Sequence, residues 1–167
     1  MRLLSKWNLL LQCSRAGMVR YTDKARRTIF YAGDLAIQDM SNEVTPKHLL
    51  LGLLRADESL VVRLGIPTID SRSEVAEFKR QGPSAPALVL SQAARNVIAL
   101  AAEEREHFSH KHTGTEHLLL GIIRAGSDAA KLLQKRGATV DRLHQLLNEQ
   151  KLTEWQTAES LCPRPAN

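Results

Sequence analysis

With 167 residues, 43% of them hydrophobic and only 4% aromatic, the chain can bury one core or two small ones side by side, filled by Leu, Ile, Val and Ala. That composition, with few β-branched runs, favours helices. The net charge of +5 rests largely on a leading segment that has no acid, and the nearly balanced body behind it shows no basic stripe interleaved with aromatics, which argues against a nucleic-acid partner.

The leading segment, residues 1–20, carries Arg2, Lys6, Arg15 and Arg20. Its apolar run is too broken for a transmembrane span, so no membrane partner is expected. It reads as a disordered extension, with Met18 standing just before the first repeat; a targeting peptide is the other reading of the same residues. Cys13 and Cys162 lie near opposite ends and make no Cys-x-x-Cys pair, so a reducing, cytoplasmic setting is the default.

Thr22 is placed to cap a first helix, with Asp23 in its first turn facing the positive end of the dipole. Ala25, Ile29, Ala32, Ala36 and Met40 follow at helical spacing and give it one apolar face. Ser41-Asn42-Glu43 breaks the pattern, and Thr45 caps a second helix with Pro46 at its first position. That helix, about Pro46 to Ala56, carries Leu49, Leu50, Leu51, Leu53 and Leu54 on most of its sides and must be buried. Gly52 inside it predicts a close approach by another helix, since Gly otherwise costs about 1 kcal/mol against Ala. A short third helix is expected around Ser59 to Leu64, ended by Gly65, and a fourth from Asp70 or Ser71 through Val75 and Phe78.

Gln81-Gly82-Pro83-Ser84-Ala85-Pro86 reads as a linker, within residues 81–88. The pattern restarts at Ser91, with Ala94, Ile98, Ala101 and Ala102 as an apolar face and Glu103, Glu104 and Glu106 as a solvated side. A central helix over Thr115–Arg124 follows, then a third over Asp128–Arg136 closed by Gly137, and a last one capped by Thr139 with Val140, Leu143, Leu146 and Leu147 inward. Residues 153–167, with Trp155 and Pro163-Arg164-Pro165, read as a loose tail.

The two halves are copies. Val44-Thr45-Pro46-Lys47-His48-Leu49-Leu50-Leu51-Gly52-Leu53-Leu54-Arg55 aligns without a gap on Thr113-Gly114-Thr115-Glu116-His117-Leu118-Leu119-Leu120-Gly121-Ile122-Ile123-Arg124. Upstream, Thr22 falls on Ser91, Ala25 on Ala94, Arg26 on Arg95, Ile29 on Ile98 and Ala32 on Ala101. Neither half could bury its central helix well alone. The expected fold is therefore all-α: two four-helix repeats, residues 21–80 and 89–152, packed as a pseudo-twofold pair.

The motif Thr-Glu-His-Leu-Leu-Leu-Gly, preceded by a helix opening Ser-x-x-Ala-x-x-x-Ile and present twice, resembles the duplicated amino-terminal domain of the Clp unfoldases, over about Tyr21 to Leu147. The ATPase modules of those proteins find no counterpart here, for the chain has no Gly-x-x-x-x-Gly-Lys-[Ser/Thr]. It also lacks Gly-x-Ser-x-Gly and His-Glu-x-x-His, so neither catalysis nor a cofactor is expected. The resemblance implies a protein-binding module of Clp-type quality control. Its partners would be protein substrates or adaptors, or the Clp unfoldase or protease subunits themselves if it docks on their ring as an accessory. It also implies a site: some members bind phosphorylated arginine, with the Glu of Gly-Thr-Glu-His on the guanidinium and a Ser or Thr opening the first helix on the phosphate. Carried over, repeat 2 keeps Glu116 and Ser91, whereas repeat 1 keeps Thr22 but has Lys47 in place of the acid. A lysine there repels a guanidinium, so one site at most is expected. The competing reading of Glu116 is an acid stabilising its helix dipole by about 0.3–1 kcal/mol.

His107, His110, His112 and His117 crowd the connection before the second central helix, beside Glu116, at spacings that could ligate Zn²⁺. No Cys joins them, and His117 aligns with His48, which has no such neighbours. A repeated His at a helix start is better read as structural, bonded to backbone or packed beneath the loop. A metal-dependent enzyme built on these histidines and Glu116 is the distant alternative; no nucleophile, base and orienting group can be assigned to it. Arg55 and Arg124, also repeated, are expected to meet the carbonyl end of their helices.

Overall fold

Both repeats begin on one device. The Thr22 hydroxyl oxygen accepts the Ala25 N–H at 3.3 Å, and that of Ser91 accepts the Ala94 N–H at 3.1 Å. These caps open helices α1 (Asp23–Gln38) and α4 (Gln92–His107). The computed structural model describes residues 20–63 and 88–150. Between and after the two capped helices it contains β1 (Glu43–Val44), α2 (Pro46–Ala56), α3 (Glu58–Arg63), β2 (Val89–Leu90), α5 (Thr115–Arg124), α6 (Asp128–Lys135) and α7 (Val140–Gln150). The predicted leading extension, fourth helix of repeat 1, linker and tail lie outside the described residues, apart from Arg20 and Leu88 at their edges.

The central helices α2 and α5 are the buried ones. Leu49, Leu50, Leu51, Leu53 and Leu54 of α2, and Leu118, Leu119, Leu120, Ile122 and Ile123 of α5, are all buried in one continuous core. Each central helix packs against the first helix of its own repeat at a glycine. A Cβ on Gly52 would lie 2.5 Å from the Thr28 carbonyl oxygen, and one on Gly121 would lie 3.0 Å from the Ala101 nitrogen and closer still to the Val97 carbonyl oxygen. Ala32 and Ala101 complete the two contacts with small side chains. The close approach expected at Gly52 is present, and the duplication repeats it at Gly121.

Two short parallel pairings, which the sequence does not announce, clasp the repeats together. Strand β1 pairs with β2 through Glu43↔Val89 and Val44↔Leu90, while Tyr21 bridges Thr113 in the same parallel sense. The repeat alignment turns one pairing into the other, because Tyr21 corresponds to Leu90 and Val44 to Thr113. Thr22 N–H accordingly donates to the Thr113 carbonyl and Ser91 N–H to the Val44 carbonyl, each at 3.0 Å. Segments this short carry no readable period, yet their backbone groups need partners once the repeats close over them. The pseudo-twofold is thus written into the hydrogen bonds.

In repeat 2 all four expected helices are present. Gly137, at φ +81°, ends α6 in the left-handed conformation, and Thr139 Oγ1 accepts the Arg142 N–H at the start of α7. Two side chains depart from the expected faces. Met40 lies past the end of α1 at φ 56° and is half exposed, so it is no part of the apolar face. Glu104, read as solvated, is buried at the position where repeat 1 has Leu35. Its carboxylate is matched there: Arg124 Nη1 donates to Oε1 and His144 Nε2 meets Oε2, each at 2.8 Å. Arg124, in the last turn of α5, also braces the acids of α4, Glu103 included. Its counterpart Arg55 lies over the Tyr31 ring, 4.5 Å from the centroid.

Candidate functional site

The cross-pairing decides which side chains meet. Thr22 is bonded to Thr113, three residues before Glu116, and Ser91 is bonded to Val44, three residues before Lys47. The cap of each first helix is therefore delivered to the head of the opposite repeat's central helix. A cleft of about 520 Å³ opens at the first of these junctions, lined by Thr22, Asp23, Lys24, Asp57, Ser59, Thr115 and Glu116. Glu116 lines this cleft together with Thr22, whereas Ser91, which the resemblance pairs with Glu116, is buried and outside its lining.

Asp57 forms the floor. It follows α2 and is 4% exposed, and its carboxylate gathers three donors: Lys24 Nζ at 3.0 Å and Ser59 Oγ at 2.7 Å on Oδ1, and Thr115 Oγ1 at 2.8 Å on Oδ2. Burial pushes its pKa up, but the bonds from Ser59, Lys24 and Thr115 outweigh that and hold the carboxyl below its ordinary value. Thr115 Oγ1 also lies 3.4 Å from Glu116 Oε2. A run of polar contacts thus connects the Lys24 ammonium to the Glu116 carboxylate across the repeat seam. Glu116 is partly exposed, and it folds back over Gly114, where a Cβ would collide with its carboxylate oxygens.

Reading the sequence alone misses Asp57, Lys24, Ser59 and Thr115. None repeats: their aligned positions hold Gly126, Ala93, Asp128 and Pro46. That very asymmetry, at a position flanking a duplicated helix, is the signal a sequence could have offered.

The repeated histidines cap their own helices. His48 Nδ1 accepts the Thr45 N–H at 3.0 Å and His117 Nδ1 accepts the Gly114 N–H at 2.8 Å. An accepting Nδ1 fixes the proton of His117 on Nε2, which lies 2.8 Å from His110 Nδ1 and donates to it. Burial, then the neighbouring His110 and Arg105, depress the His117 pKa to about 3, so this ring is neutral near pH 7. His110, Glu116 and His117 come within 4.8 Å of one another, the nearest approach to a metal-ligating group among the predicted residues. The set does not fit a metal well, because ligation through His117 would give up either the helix cap or the bond to His110. His107 instead stacks on His144, with centroids 5.6 Å apart.

Residues 20–136, and again 90–160, match the Clp repeat (R) N-terminal domain. The chain belongs to the Clp N-terminal repeat family. It is 30% identical over 132 residues to the negative regulator of genetic competence ClpC/MecB of Bacillus subtilis (strain 168), covering 75% of this chain and 16% of that protein. It is 33% identical over 131 residues to the chloroplastic chaperone protein ClpC1 of Oryza sativa subsp. japonica, covering 74% and 14%. The chain thus spans a small part of the length of these relatives. The Clp fold recurs in the Hsp104 N-terminal domain from Candida albicans, with a TM-score of 0.64 at 20% identity over 80% of this chain and 93% of that one. It recurs also in the N-terminal domain of ClpD from Arabidopsis thaliana, with a TM-score of 0.60 at 23% identity over 79% and 95%. No helix among the described residues is long and apolar enough to cross a membrane.

Proposed function

We propose that this Clp repeat domain works by holding and presenting proteins, and that its seam cleft takes a phosphorylated arginine side chain of a client or adaptor. Clp N-terminal domains are substrate- and adaptor-binding modules, which supports the general role. One observation supports the ligand: Glu116 lines the same cleft as Thr22, Asp23 and Lys24 at the capped start of α1. A guanidinium pairs with the Glu116 carboxylate. The Thr22 oxygen is occupied by the Ala25 N–H, so its hydroxyl proton is what it offers a phosphate, beside the positive end of the α1 dipole. At the pseudo-equivalent junction Lys47 stands where Glu116 does, and a guanidinium is repelled there. The module is expected to bind one such side chain and to cut or transfer nothing.

Calorimetry with phospho-arginine on the wild type and on Glu116→Ala tests the ligand. Binding by the wild type that weakens at least tenfold in the variant supports it, and equal affinity, or none in either, removes it. A pull-down from native lysate then separates the roles. Phosphorylated or damaged clients support presentation, whereas recovery of a Clp ring alone supports an accessory subunit.

A further inference from the structure

We infer that the head of α5 is an acid-sensitive release, built from a relay of Gly114, His117 and His110 that repeat 1 does not copy. The Gly114 N–H donates to His117 Nδ1, and His117 Nε2–H donates to His110 Nδ1, each at 2.8 Å. Both accepting nitrogens are thereby used. A proton brought to either one meets an N–H already pointing at it, so it enters only when a bond of the relay breaks. On His117 that position is Nδ1, and a proton there undoes the cap of α5. Phe108 gathers the surrounding rings, packing on His107, His110, His117 and His144.

The surroundings oppose the charge. Glu104, Arg105 and His107 stand around the relay from α4, His112 from the connection, Glu116 from α5 and His144 from α7. Glu104 is already engaged by Arg124 and His144. Burial, His110 and Arg105 all act against a proton on His117. Glu116 is within reach, its Oε1 3.6 Å from Nδ1, so a protonated ring turns toward it and draws it from over Gly114. Repeat 1 is built to take the same proton. His48 Nδ1 accepts the Thr45 N–H at 3.0 Å, but Thr45 Oγ1 lies 3.2 Å away and can accept a proton placed on that nitrogen. On the far side of the ring, His48 Nε2 lies 3.1 Å from the Asp39 carboxylate. Repeat 2 has Gly114 for Thr45, Phe108 for Asp39 and His110 for Ser41. One head therefore opens as pH falls, and the other holds.

The test is amide hydrogen exchange of the full chain by NMR at pH 7 and pH 5, read at the two amides that donate to the repeated histidines. Protection factors divide out the intrinsic effect of pH on exchange. With His117 neutral while the head is closed and titrating normally once it opens, the Gly114 amide should lose roughly 25-fold in protection over that range. The Thr45 amide should lose at least about fivefold less, its ring having Asp39 and the Thr45 hydroxyl to receive the proton. His117→Gln keeps an acceptor for Gly114 without the titration and should hold that amide nearly level. Asp39→Asn should move the Thr45 amide toward the behaviour of Gly114. Wild-type amides that lose protection equally overturn the inference without recourse to any variant. A folded His117→Gln chain in which Gly114 loses as much as in the wild type overturns it too.

Discussion

The Thr115 hydroxyl donates to the Asp57 carboxylate at 2.8 Å, tying the head of one repeat's central helix to the tail of the other's. The bond is buried, and the same carboxylate holds Lys24 and Ser59. Asp57→Ala should therefore loosen the seam as well as the cleft, with a loss of about 2–3 kcal/mol, since three donors lose one charged acceptor. Thr115→Val should cost about 1–2 kcal/mol. Urea denaturation of the two single variants and the double one checks this: the losses should be less than additive, by at least about 1 kcal/mol. Strict additivity would mean that the two side chains do not act on each other.

The glycines of the central helices admit no methyl group. Gly121→Ala places a Cβ against Val97 and Ala101 backbone atoms, which no rotamer change relieves, and Gly52→Ala does the same against Thr28 and Ala32. Each should lose about 2–3 kcal/mol by forcing its helix pair apart, although alanine is the better helix former. Gly126→Ala meets no atom within 4 Å and suffers only from φ +63°, so a loss nearer 1 kcal/mol is expected. Thermal melts of the three variants should rank them in that order; a stabilised Gly121→Ala would contradict the close approach.

The neutral His117 makes stability depend on pH. Its folded pKa, about 3, lies below the ordinary 6.5, so between those values the unfolded chain binds a proton that the folded chain refuses. The stabilisation is complete above pH 6.5 and drains away as pH falls toward 3, amounting to roughly 1–2 kcal/mol by pH 5. Asp57, held below its ordinary 3.8, has the same sign but acts only in the more acid range beneath that value. His117→Gln keeps an acceptor for the Gly114 N–H and removes the titration. It should flatten the slope of stability between pH 7 and 5 relative to the wild type, and parallel slopes would show that His117 does not carry the dependence.

Much of this fold was legible because the duplication states it twice. Leu49 and Leu118, Gly52 and Gly121, and His48 and His117 could be read by spacing, and each reading was checked by its copy. What escaped was whatever depends on how the copies meet. Asp57 finds Thr115 58 residues away, and nothing local in Ala56-Asp57-Glu58 announces that partner. The resemblance pairs Glu116 with Ser91 in sequence order. The β1–β2 pairing and the Tyr21–Thr113 bridge, too short to carry a period, instead bring each first-helix cap to the opposite repeat, so that Glu116 lines a cleft with Thr22. Glu104 misled for a related reason: periodicity marks a face, but only the reach of Arg124 and His144 permits an acid there.

The difference between the two junctions extends beyond the charge at Lys47. Glu116 lies folded over Gly114, in space that a Cβ would fill, whereas the aligned cap in repeat 1 is Thr45, which has that Cβ. Restoring the acid alone, Lys47→Glu, should thus leave the stoichiometry for phospho-arginine at one, because the new carboxylate cannot take the pose of Glu116. Thr45→Gly/Lys47→Glu makes room for it and should yield a second, weaker site, since Ala93 still stands in the place of Lys24. The converse change, Gly114→Thr, supplies a side-chain cap and should leave stability within about 1 kcal/mol while displacing Glu116 and weakening binding. Calorimetry reads stoichiometry and affinity together. A second site in Lys47→Glu alone, or full affinity in Gly114→Thr, would show that the pose of Glu116 over its glycine is not what binds.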